Sequence, residues 1–236
     1  MAEGGKILAK IIEEVRKKVE PGITTNELDR VAETLILKSG GKPSFQGYEE
    51  YPAALCASVN EEIVHTVPSN RVLKEGDIIS LDLGIFYKGF HNDMAITVPV
   101  GKISQEAQKL ITVTKKSLEV GIKEVKAGNT FGDIGYAIQK YVEGEGFNVV
   151  RNLCGHGIGR ELHEDPQIPN YGKKGTGLEL AERMVFCIEP MVTAGDWNLA
   201  KMKDNFGYQT ADGSLSCHFE HTIALTEKGF QILTKI

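Results

Sequence analysis

Leu73-Lys74-Glu75-Gly76-Asp77-Ile78-Ile79-Ser80-Leu81-Asp82 lies over Leu180-Ala181-Glu182-Arg183-Met184-Val185-Phe186-Cys187-Ile188-Glu189 when the chain is shifted by 107 residues. Each copy is an apolar run that ends in an acid at the same depth of an equivalent strand. Upstream the shift is 106, which lays Thr24-Thr25-Asn26-Glu27 over Thr130-Phe131-Gly132-Asp133. Both tetrads put an acid three residues after a hydroxyl N-cap, the capping box that opens a helix. Leu28, Val31 and Leu35 carry the first helix to Gly40-Gly41, and Ile134, Ala137 and Tyr141 carry the second to Gly146. An earlier helix precedes each, Gly5 to Val19 and Ser104 to Val125, closed by Pro21-Gly22 and Ala127-Gly128. The order helix, helix, strands in both halves predicts an α+β fold rather than alternating βαβ units. Two halves, about 5–100 and 104–234, are expected to pack about a pseudo-two-fold axis as a single domain spanning 1–236.

Composition excludes several classes of function. With 41% hydrophobic and 25% charged residues over 236 positions, the chain is neither disordered nor a disulfide mini-scaffold. Its 27 basic and 32 acidic residues give a net charge of −5, so no one-sided positive field exists to hold a nucleic acid. No apolar run approaches the roughly 20 residues of a spanning helix. Met1 to Val19 lacks the apolar stretch of a secretory signal. Cys56, Cys154, Cys187 and Cys217 are scattered, which fits reduced thiols and a cytoplasmic location.

Asp82 stands inside Ile78-Ile79-Ser80-Leu81-Asp82-Leu83-Gly84-Ile85-Phe86, where an unpaired carboxylate costs several kcal/mol to bury. A proton, a cation or a metal must neutralise it. The next strand, His91 to Val100, returns through Tyr87-Lys88-Gly89 and carries Asp93. In either hairpin register that puts the two aspartates on one face, opposite or diagonal, their like charges repel. A divalent cation between them removes the conflict. Glu189 breaks the run Met184 to Ile188, and Glu220 breaks the strand Phe219 to Leu225, so four acids are expected within four apolar strands.

The loop Cys154-Gly155-His156-Gly157-Ile158-Gly159 lacks the spacing of a phosphate cradle. Its glycines let the backbone bring His156 to a buried site, which makes that imidazole the expected fifth ligand. Four carboxylates and one imidazole, with no thiolate in the set, suit Mn, Fe, Co or Zn better than a structural zinc. Five side chains exceed what one open catalytic ion uses. Two divalent metal ions roughly 3.5–4 Å apart, sharing a water, are therefore expected, and their usual chemistry is hydrolysis. The residues alone leave the substrate open.

With these motifs in order, the chain resembles the short type I methionine aminopeptidases. The resemblance runs from Gly5 to Thr234 through Tyr51-Pro52, Ser58-Val59-Asn60-Glu61, His65, Gly76-Asp77, Asp82, His91-Asn92-Asp93, Gly155-His156-Gly157-Ile158-Gly159, His163-Glu164-Asp165-Pro166, Ile188-Glu189-Pro190-Met191 and Phe219-Glu220-His221-Thr222. It implies the pita-bread fold, with Asp82, Asp93, His156, Glu189 and Glu220 as ligands of two ions, Asp93 and Glu220 bridging. By the same resemblance Glu189 also takes the proton of the attacking water. His163 stabilises the tetrahedral intermediate, and His65 approaches the new amine from the other side. A methionine pocket is implied at Tyr48, Tyr51, Cys56, Leu162 and Phe206. Leu162 stands where phenylalanine is usual, Phe206 where tryptophan is, and Thr66 where glycine is common. The implied substrate is the N-terminus of a peptide or nascent protein with a small second residue, met near the ribosomal exit tunnel by a monomeric enzyme. Neither a membrane nor a nucleic acid takes part.

Overall fold

Among the described residues four α-helices form, α1 (Ala2–Arg16), α2 (Thr25–Lys38), α3 (Gln105–Ile122) and α4 (Phe131–Gly144), and the expected capping boxes open α2 and α4. The structure, a computed structural model, describes residues 1–235. At α2, Thr24 Oγ1 accepts the Glu27 N–H at 3.2 Å while Glu27 Oε2 accepts the Thr24 N–H at 2.8 Å. At α4, Asp133 Oδ2 accepts both the N–H and the hydroxyl of Thr130 at 2.8 Å. The same two threonines make antiparallel bridges at corresponding places, Thr24 with Val72 and Thr130 with Glu179. Thr24→Ala removes one half of the first box, at an expected cost of about 1 kcal/mol. A drop of roughly 2–4 °C in melting temperature is the readout, and no drop would show the cap to be redundant.

α1 begins at Ala2 rather than Gly5, because its glycines serve packing inside the helix and not a start signal. A Cβ at Gly5 would meet the Leu233 carbonyl, so the bare backbone lets the helix lie close on the C-terminal segment. α3 is shorter than expected at both ends. Ser104 is its N-cap, with Oγ accepting the Ala107 N–H at 3.1 Å.

Ile78–Tyr87 is the central strand of the first half. Phe90–Pro99 pairs along one of its edges, and Leu55–Val59 and Lys42–Pro43 pair along the other. Lys88 and Gly89, both at positive φ, form the two-residue turn whose twist suits a hairpin. In the second half the antiparallel order is Gly229–Ile232, His221–Thr226, Val185–Ile188, Gly155–Gly157 and Glu164–Ile168.

Each sheet carries its helix pair through large, fully buried side chains. Leu8, Ile12, Leu28 and Ile36 cluster with Leu55 and Leu81, while Leu110, Ile134 and Ile138 cluster with Phe186 and Ile223. Every such side chain contributes roughly 1.5–3 kcal/mol by leaving water. Two threonines stitch the halves together. Thr97 Oγ1 donates to the His218 carbonyl at 2.8 Å and accepts the His218 N–H at 3.0 Å. Thr222 Oγ1 likewise donates to the Asp93 carbonyl at 2.8 Å and accepts the Asp93 N–H at 2.9 Å. Among the described residues no helix is long and apolar enough to cross a membrane.

Candidate active site

Asp82 pairs across the hairpin with Ala95, and Asp93 with Gly84, so the two aspartates sit diagonally on one face. This is the second of the two registers considered above. The glutamates arrive differently. Glu189 follows the strand Val185–Ile188 and precedes Pro190, which has no N–H to continue a ladder. Glu220 lies between the strands Ser216–His218 and His221–Thr226 and donates its N–H to the Ala95 carbonyl of the other half at 2.9 Å. Two of the four acids are thus within strands and two at strand breaks, which corrects the expectation of four embedded strand acids. A break is where a backbone can turn its side chain toward a partner sheet.

Carboxylate oxygens of Asp82, Asp93 and Glu220 lie within 4.8 Å of one another. All three residues are buried, and Asp82 Oδ1 and Glu220 Oε1 have no hydrogen-bond partner. His156 Nε2 stands 3.7 Å from Glu189 Oε1 and 4.0 Å from Glu220 Oε1. Its other nitrogen, Nδ1, is 2.9 Å from the Gly157 carbonyl, so Nδ1 carries the proton and Nε2 presents a lone pair to the acids. Burial pushes the His156 pKa down to about 4, so the ring is neutral at pH 7. Burial, and then the neighbouring carboxylates, push Asp82 and Glu220 well above the ordinary carboxylate range. Glu189 is raised in the same way by burial and by Asp93. Burial raises Asp93 to about 7. A lone pair and four acids aimed at one another repel unless positive charge sits among them, so this donor set fits divalent cations.

A cavity of about 310 Å³ opens onto this cluster, and every candidate site residue lines it. Leu162, Tyr51 and Cys56 form its buried apolar wall with Phe45, and Tyr48 and Phe206 pack against them. The Tyr51 hydroxyl is 3.0 Å from the carbonyls of both Leu55 and Thr66, which spends its polar end on the backbone and turns the ring to the cavity. Phe206 meets that ring edge-on at 5.5 Å. Thr66 itself is buried and its hydroxyl accepts from Ser58 Oγ at 3.1 Å. Two solvent-exposed histidines flank the cluster. His163 Nδ1 is 2.9 Å from the Tyr48 hydroxyl, and its ring stands edge-on to His156 at 4.3 Å. His65, at positive φ, meets Tyr208 edge-on at 6.2 Å.

The structure brings to the site two residues that the sequence reading did not place there. Cys187 Sγ lies within 4.8 Å of ligand atoms of His156 and Glu220, so a thiol does adjoin the set expected to lack one. Burial raises its pKa well above that of a free thiol. His218 Nε2 stands 3.7 Å from Glu189 Oε2 and 3.9 Å from Glu220 Oε2.

Comparison with known proteins assigns the chain to a family. A model of metallopeptidase family M24 matches residues 1–227. The chain belongs to this family. It is 51% identical to methionine aminopeptidase 1 of Bacillus subtilis over 236 residues, covering 100% of this chain and 95% of that one. The solved methionine aminopeptidase of Thermotoga maritima superposes with a TM-score of 0.98 at 47% identity, covering 100% and 95% of the two chains. The prolidase of Pyrococcus furiosus shares the fold, with a TM-score of 0.80, but at 22% identity this chain covers 62% of it. The pita-bread α+β architecture, membership of the metallopeptidases and use of divalent metal therefore hold for this chain as an M24 hydrolase.

Proposed function

We infer that this M24 metallopeptidase is a methionyl aminopeptidase, releasing the initiator methionine from peptides and nascent proteins whose second residue is small. The observation that carries this reading is an apolar wall of Tyr51, Cys56, Leu162 and Phe206 on the same cavity as the acid cluster. An unbranched thioether fits such a wall, and a charged side chain would lose its hydration there. Both halves, joined at the threonine seam, act as one catalytic unit, since each supplies two acids.

Asp82, Asp93, His156, Glu189 and Glu220 would hold two ions drawn from Co, Mn, Fe or Zn, with Asp93 and Glu220 shared between them. Bound there, such ions polarise a scissile carbonyl and acidify water. The chain's own residues do the rest. The pocket wall seats the methionine side chain and fixes the scissile bond near the acids, which removes much of the orientational barrier. The Glu189 carboxylate takes the proton of the attacking water and returns it toward the leaving amine. His163 donates through Nε2 to the oxygen on which negative charge develops, and His65 approaches the departing amine from the opposite side.

Metal-free protein is expected to release no methionine from Met-Ala-Ser and to regain release when Mn, Co or Fe(II) is added. Ala-Pro-Ser should stay intact under the same conditions. Failure of every ion to restore methionine release would overturn this reading, and cleavage of the proline peptide alone would favour an Xaa-Pro peptidase of the same fold.

A further inference from the structure

His218 is 1% exposed, and neither of its ring nitrogens has a hydrogen-bond partner. A buried imidazole without partners costs free energy that some other interaction must offset. Its backbone is fixed at the seam, where Thr97 holds both its N–H and its carbonyl. The surroundings of Nε2 show what it serves. His156 faces the Oε1 atoms of Glu189 and Glu220 at 3.7 and 4.0 Å, whereas His218 faces the Oε2 atoms of the same two residues at 3.7 and 3.9 Å. The two rings therefore address opposite oxygens of one pair of carboxylates.

A carboxylate that offers one oxygen to a cation still has a second that needs a donor, and such outer partners fix the orientation of the ligand. We propose that His218 is a positioning residue of the metal centre, donating Nε2–H to the far oxygens of Glu189 and Glu220 and so holding their near oxygens toward His156. The contacts are about 0.5–1 Å longer than a formed N–H···O bond, a gap that small rotations of the glutamate side chains close. The converse tautomer would aim a lone pair at two carboxylates. This assignment rests on the reading that Glu189 and Glu220 face a divalent cation, and it adds a residue outside the five-ligand set.

Two variants separate positioning from mere filling of space. His218→Gln keeps an N–H donor of similar reach, while His218→Leu keeps bulk and loses the donor. Each metal-free protein is titrated with Mn(II) by calorimetry, its fold checked by circular dichroism. His218→Leu is expected to bind Mn(II) 10–100-fold more weakly than the parent, and His218→Gln to stay within about threefold of it. Parental affinity in folded His218→Leu would overturn the proposal. So would a loss in His218→Gln as large as that in His218→Leu, because an amide donor should suffice. If the parent itself takes up no Mn(II), the metal reading fails first, and that outcome is distinct from the others.

Discussion

Asp93→Ala is expected to abolish divalent-cation uptake and methionine release together, each by at least about 100-fold. Loss of an outer partner of a metal ligand costs about 10–100-fold, and Asp93 is proposed to touch both ions directly. Its carboxylate is 3% exposed and lies within 4.8 Å of those of Asp82 and Glu220, so solvent cannot easily replace it. Elemental analysis of the dialysed protein and the Met-Ala-Ser assay check the two losses. Parental metal content in the inactive variant would contradict the bridging role.

Stripped of metal, the same residue has the opposite effect. Burial holds Asp93 at about 7 in the folded protein, against 3.8 for a free aspartate. The folded chain thus keeps a proton that the unfolded chain releases between about pH 4 and 7. Over that window Asp93 lowers stability as pH rises, by at most ~1.4 kcal/mol per pH unit. An asparagine has the same shape and does not titrate. Metal-free Asp93→Asn should therefore gain on the metal-free parent as pH rises from about 4 to 7, and a constant difference in melting temperature would sink the argument. Comparing the two proteins cancels the contrary contributions of His156 and His218, whose depressed pKa values act in the same range in both.

What made the site readable in the sequence was the cost of burying charge. Asp82 and Asp93 stand in buried, largely apolar strands, where a carboxylate needs a proton or a cation to neutralise it. The helix pairs were readable because capping boxes recur at Thr24 and Thr130, at one register shift. Glu189 and Glu220 were expected as ligands, but not as residues of strand breaks, because pairing partners lie far along the chain. Glu220 N–H bonds to Ala95 across the seam, a contact that no local pattern encodes. His218 escaped for a different reason. A histidine in a short strand has no anomalous hydropathy, and only the arrangement of both halves shows that its ring faces two acids. The pocket wall was carried by resemblance, since Tyr48, Cys56 and Phe206 sit on separate segments whose convergence is purely tertiary.

His163→Ala is expected to lower kcat by about 10²–10³ while metal content and stability stay near parental values. The ring is exposed, so its removal leaves no buried cavity. Its orientation comes from Tyr48, whose hydroxyl meets Nδ1 at 2.9 Å and whose ring packs edge-on at 5.1 Å. When that hydroxyl donates to Nδ1, the proton of the neutral imidazole must reside on Nε2, the nitrogen free to donate into the cavity. Charge that develops on the scissile oxygen then meets a preorganised donor, and the benefit is larger in the transition state than with bound substrate. The loss should accordingly appear in kcat far more than in KM. Tyr48→Phe leaves the imidazole in place but frees its tautomer and its tilt, for an expected loss of about tenfold. In the double variant His163→Ala with Tyr48→Phe, kcat should be no lower than in His163→Ala alone, because the hydroxyl acts through the ring. Additive losses would show that Tyr48 works on the substrate directly, and an undiminished kcat in His163→Ala would remove the histidine from the reaction.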